Sequence, residues 1–154
     1  MISPGLRRRD ALAFAGRGAA VAIAACLFPQ EAWATTADAQ TALAALGSGA
    51  PQPGKVTIGA PEIAENGNTV PIVIDVESPM TDANYVKTIL VVADGNPLPG
   101  VARFDLSPIN GRAHVEFRIR LAQTENITAV ALMSDGSKWS ATKNIKVTIG
   151  GCGG

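Results

Sequence analysis

The sequence predicts an all-β fold, an immunoglobulin-like antiparallel β-sandwich, and three observations point to it. Thr69–Glu77 and Arg112–Leu121 alternate apolar and polar residues with a period of two, which marks strands with one buried and one wet face. The pairs Asn66-Gly67, Asp94-Gly95, Asn110-Gly111 and Asp135-Gly136 punctuate the apolar runs, and such pairs supply tight hairpin turns. No helical-period stretch separates the runs, so short strands follow one another directly. At 154 residues there is room for one such domain and a processing segment.

Residues 1–34 read as a signal peptide. Arg7-Arg8-Arg9 is a positive leader, Gly18 to Phe28 is a short and mildly apolar stretch, and Ala32-Trp33-Ala34 is a cleavage site. The apolar stretch is too short for a membrane span. Consecutive arginines ahead of it point to the twin-arginine route, although Ala11 stands where phenylalanine is common. A rival lies in Ile23-Ala24-Ala25-Cys26, which resembles a lipobox with Cys26 as the acylated residue. The apolar run continues past it, and the ordinary cleavage site follows. Cleavage after Ala34 leaves 9 basic against 11 acidic residues.

Residues 35–54 are expected to hold a short helix over 38–47, with Asp38 as cap and Gly47 as stop, then a Pro- and Gly-rich linker. The sandwich occupies 55–149. Its strands include Thr69–Glu77, with Val70, Ile72, Ile74 and Val76 inward, and the more continuously apolar Val86–Ala93. The latter suits a central strand or one covered by a partner. Arg112–Leu121 turns Ala113, Val115, Phe117, Ile119 and Leu121 inward. Ile127–Met133 follows, and Asn144–Ile149 closes the domain with Ile145, Val147 and Ile149 on one face.

Several functions find no support. The 13 basic and 13 acidic residues balance, so nothing suggests nucleic acid. His114 is the only histidine and sits on the polar face of a strand; one histidine and one mature cysteine cannot form a zinc site alone. No phosphate loop, cofactor fingerprint or acid–base constellation is present, so no catalytic residue, metal ligand or cofactor is assigned. Arg112, Arg118 and Arg120 share a face with Glu116, as a solvated strand with cross-strand pairing would.

The chemistry is expected at residues 150–154, Gly150-Gly151-Cys152-Gly153-Gly154. Removal of the signal leaves Cys152 as the only cysteine, and an unpaired thiol at the end of a secreted chain needs a reason. Glycine makes a thin segment that turns easily. An extended chain advances about 3.3–3.6 Å per residue, so the sulfur reaches roughly 10 Å beyond Ile149. Such an arm presents a thiol to another protein. Glycine supplies no base or oxyanion donor, so the chemistry on the thiol is done elsewhere.

The ending Val147-Thr148-Ile149-Gly150-Gly151-Cys152-Gly153-Gly154 resembles the carboxyl terminus of the SoxY family of bacterial thiosulfate oxidation. That resemblance implies a periplasmic sulfur carrier rather than an enzyme, on a sandwich of this kind. It implies that Cys152 is the covalent attachment point and that Gly150, Gly151, Gly153 and Gly154 form the arm. It also implies partners: a SoxZ-like small β-protein forming a heterodimer, a haem-containing sulfur-transferring enzyme, a sulfate-releasing hydrolase and, in some pathways, a sulfur dehydrogenase. The alternative reading of the residues is a secreted β-sandwich binding or structural module whose tail thiol forms an intermolecular disulfide.

Overall fold

The structure is a computed structural model that describes residues 49–150 together with 41, 43, 44, 46 and 47. The signal peptide, Cys26 and residues 151–154 lie outside the described residues. Most of the expected 38–47 helix does too; of it, Thr41, Leu43 and Ala44 are helical, and Gly47 follows with φ +98°.

Among the described residues nine strands build two sheets: β1 Gln52–Pro53, β2 Val56–Gly59, β3 Ile63–Asn66, β4 Val70–Val76, β5 Val86–Ala93, β6 Gly100–Asp105, β7 Ala113–Ile119, β8 Glu125–Met133 and β9 Lys138–Ile149. The smaller sheet has the order β2-β4-β7 and is antiparallel throughout. The larger runs β1-β9-β8-β5-β6, with β3 also on β9. The two short strands lie parallel to β9, β1 at Trp139–Ser140 and β3 at Lys146–Ile149, so its outer edge is paired at both ends. An uncovered edge of this length would invite pairing with another chain.

The alternating residues meet between the sheets. Val70, Ile72 and Ile74 of β4 are buried, as are Ile89 and Val91 of β5, Ile127 of β8 and Ile145 of β9. Each such side chain contributes about 1.5–3 kcal/mol relative to leaving it in water. Val86–Ala93 is an interior strand of the larger sheet. Val92 is buried although it lies outside the inter-sheet core, so β5 is covered on both faces.

Three expectations require correction. The stretch after Gly47 is more than a linker, because Gln52–Pro53 pairs with β9 and the Gly54 N–H donates to the Ser140 carbonyl at 3.3 Å. Asn66-Gly67 and Asn110-Gly111 do not close hairpins: each lies where the chain passes from one sheet to the other. Asp135-Gly136 does close one, joining β8 to β9 with Gly136 at φ +85°. Finally, Ile149 continues the inward alternation of β9 but is 65 % exposed, so its side chain is not packed.

Candidate functional site

The described part of the expected site is the end of β9, Ile149 and the Gly150 that follows it. Ile145 is fully buried and Val147 packs against the core, while Ile149 projects into solvent. The backbone of Ile149 is nevertheless held. Asn66 of β3 is its parallel partner, and the Gly67 N–H donates to the Ile149 carbonyl at 2.7 Å. Two residues earlier, the Val147 N–H donates to Thr124 Oγ1 at 3.0 Å. Backbone pairing, not side-chain packing, anchors the exit.

Gly150 is the one arm residue that is described, and it is not free. A Cβ added there would lie 2.2 Å from the Ala122 carbonyl oxygen and 3.2 Å from its carbon. Real Cβ atoms do not approach so closely, so only the hydrogen of glycine fits. The φ of Gly150 is outside the left-handed region, so space rather than torsion demands glycine.

The segment that presents Ala122 is itself braced. Leu121 is fully buried, and its N–H donates to the Gly67 carbonyl at 2.8 Å. Asn96, 7 % exposed, donates from Nδ2 to the Arg120 carbonyl at 2.8 Å and accepts the Ala122 N–H on Oδ1 at 2.9 Å. Beside it, the Gly95 N–H donates to the buried Glu125 carboxylate at 2.8 Å. Burial pushes the Glu125 carboxyl above the usual carboxylate range, the N–H groups of Gly95, Ala122 and Gln123 pull it back, and the Asp94 charge adds to the rise.

Other candidates resolve as structure. His114 stands opposite Asp75 in the β4–β7 register and meets its Oδ1 through Nδ1 at 2.7 Å. Glu116 lies 3.4 Å from Nε2, and Arg112 is 3.6 Å from Asp75. This is a surface charge cluster across two strands. The hydrogen bond to Asp75 is the main force raising the imidazole pKa. Among the described residues no group of three or more His, Cys, Asp or Glu is placed to hold a metal, and no helix is long and apolar enough to cross a membrane.

Of the residues assigned to the arm, the structure places Gly150; Gly151, Cys152, Gly153 and Gly154 lie outside the described residues. Sequence reasoning missed Ala122, Asn96 and Gly67. Their roles are contacts between residues far apart in the chain, and the local signals were only the Asn66-Gly67 and Asp94-Gly95-Asn96-Pro97 turns.

Comparison with known proteins adds the following. Residues 42–152 match the family of sulfur oxidation protein SoxY. The solved sulfur carrier protein SoxY from Chlorobium limicola f thiosulfatophilum is 34 % identical, with a TM-score of 0.63, over 75 % of this chain and 100 % of that one. The superoxide reductase (neelaredoxin) from Ignicoccus hospitalis is 22 % identical with a TM-score of 0.55, over 61 % of this chain and 80 % of that one. The superoxide reductase from Nanoarchaeum equitans is 12 % identical with a TM-score of 0.53, over 62 % and 100 % of the two chains. At these identities the reductases share the sandwich and nothing further is carried over. No curated protein matches the chain. A match across most of its length, together with a solved relative of one-third identity covered end to end, means that the chain belongs to the SoxY family of sulfur oxidation proteins.

Proposed function

We propose that this protein is a covalent carrier of sulfur intermediates in thiosulfate oxidation, with Cys152 as the attachment point on an arm of residues 150–154. The observation that carries this reading is the family match, which runs up to Cys152 itself. Two further facts support it: the solved relative is a sulfur carrier, and the last strand ends with its Ile149 backbone held by Gly67. The protein works in the periplasm, exported by the signal peptide at 1–34. The mature chain then comprises the segment 35–54, the sandwich 55–149 and the arm. Amino-terminal sequencing is expected to begin at Thr35, whereas an acylated Cys26 would contradict this cleavage.

The loading step joins the Cys152 sulfur to the sulfane sulfur of thiosulfate. The new S–S bond requires loss of two electrons, which a haem-containing partner accepts, and of the thiol proton, which goes to solvent. The product is a cysteine S-thiosulfonate. A hydrolase then adds water across the bond between the sulfane and sulfonate sulfurs, releasing sulfate and a proton and leaving a persulfide on Cys152. In pathways with a sulfur dehydrogenase, that persulfide is its substrate. A SoxZ-like β-protein completes the carrier as a heterodimer. The carrier itself supplies reach and a thiol, and its partners supply the chemistry.

Cys152→Ser tests the assignment. A hydroxyl is a far weaker nucleophile than a thiolate, and a chain terminus contributes little to the core. The variant is expected to fold with an unchanged Tm and to take up no sulfur in a reconstituted system. Thiosulfate-dependent oxidation that persists with this variant would refute the carrier function.

A further inference from the structure

We propose that Gly150, Ala122 and Asn96 form a fixed port that sets the direction in which the carrier arm leaves the domain, with Asn96 as a positioning residue for sulfur transfer. This inference rests on the carrier reading and adds to it which residue is the last one held by the domain.

Both sides of the port are held, and they meet at the Arg120–Leu121 peptide unit. On the strand side, the Ile149 carbonyl accepts the Gly67 N–H, and the Gly67 carbonyl accepts the N–H of the fully buried Leu121. On the loop side, the buried Asn96 amide uses its donor on the Arg120 carbonyl and its acceptor on the Ala122 N–H. One side chain thus fixes the peptide units on either side of Leu121. The Ala122 carbonyl is left facing Gly150, 2.2 Å from where a Cβ would stand. Leaving a buried amide or N–H without its partner is costly, so the bracket resists deformation. A tether needed only for slack would not press its first glycine against a braced carbonyl.

Gly150 therefore belongs to the rigid domain by space and to the arm only by sequence. The arm loses one residue of reach, about 3.3–3.6 Å, and gains a defined direction. Direction matters because a reacting atom misplaced by about 1 Å can slow transfer on the order of a hundredfold.

The test uses the mature protein with its haem-containing loading enzyme and thiosulfate, and in parallel with iodoacetamide, which needs no docking. In Gly150→Ala the new methyl must push the chain away from Ala122. We expect loading kcat to fall on the order of tenfold to a hundredfold, with KM and the iodoacetamide rate unchanged. Asn96→Ala is expected to act the same way at temperatures below its Tm. Undiminished loading in Gly150→Ala overturns the port, and so does a parallel fall in the iodoacetamide rate, which would mean a hidden thiol rather than a misdirected one. Should Asn96→Ala fail to fold, backbone relaxation of the wild-type protein decides. The Gly150 amide is expected near the rigid value of about 0.85 in order parameter, and a value below about 0.6 overturns the port. Wild-type protein that takes up no sulfur overturns the carrier reading and the port with it, whereas wild-type loading beside undiminished loading in Gly150→Ala removes the port alone.

Discussion

Strand β9 begins and ends beside a glycine, and the two glycines answer different demands. Gly136, in the hairpin that leads into β9, has φ +85°, and nothing lies within 4 Å of where its Cβ would stand. The turn is closed by the Met133 N–H on the Ser137 carbonyl at 2.9 Å and by the Ser137 N–H on Asp135 Oδ1 at 2.8 Å. There the backbone torsion requires glycine and space does not. Gly150, at the far end, has no left-handed φ but faces the Ala122 carbonyl at a distance no side chain tolerates. There space requires glycine and torsion does not. On the carrier reading one end of the strand serves folding and the other delivery, and substitutions at each should separate stability from transfer.

The largest effect is expected just past the delivery end. Gly151→Val adds a branched side chain where the proposed arm would enter a partner, and overpacking of about 1–3 kcal/mol corresponds to roughly 5- to 150-fold in transfer rate. Tm should stay unchanged, because position 151 follows the last residue paired to β3. Thermal unfolding and partner turnover measured on one preparation check this. Unchanged turnover would show that the glycines do not serve passage.

Gly136→Ala is the mirror case, with a smaller effect. Forcing an ordinary residue into the left-handed region costs about 1–2 kcal/mol, which lowers Tm by several degrees in a domain of this size. Transfer by the surviving folded protein should match wild type. A Gly136→Ala protein with wild-type Tm but slowed transfer would reverse the assignment of the two ends.

The smallest effect lies away from both ends, at His114. Its folded-state pKa is raised from 6.5, chiefly by the Asp75 hydrogen bond. The stabilisation is therefore fully present below about pH 6.5 and is lost as pH rises through the higher folded value. Urea midpoints followed upward from pH 6 should decline through this window in wild type and stay flatter in His114→Gln. Identical profiles would remove His114 from the account of stability. Transfer assays compared across this range need that correction before the two ends of β9 are contrasted.

Much of the sandwich was legible in the sequence, because alternation reports burial directly. Val70, Ile72, Ile74 and Val76 all point inward as read, and Val86–Ala93 is interior. Partner choice was not legible. Asn66-Gly67 encodes a turn, but nothing local says that β3 will pair in parallel with β9 rather than fold back on β4. Gly100–Asp105 escaped notice since its exposure does not alternate cleanly. Ile149 misled for a related reason: the alternation continues one step beyond the last side chain that the domain covers. Residues 151–154 lie outside the described residues, and the glycines around Cys152 were legible only as the expectation of an arm. That Gly150 is clamped was not, because the clamp is Ala122, an alanine 28 positions earlier that contributes only its carbonyl oxygen.

The central claim is that Cys152 carries sulfur covalently, and the most direct test is mass analysis of the protein purified from sulfur-oxidising cells without reductant. A carrier should arrive as a mixture of free protein and forms bearing thiosulfonate or added sulfur atoms, all mapping to the terminal peptide that contains Cys152 and absent from Cys152→Ser. Protein found only as free thiol and disulfide-linked dimer would contradict the claim and make the tail a structural cross-link.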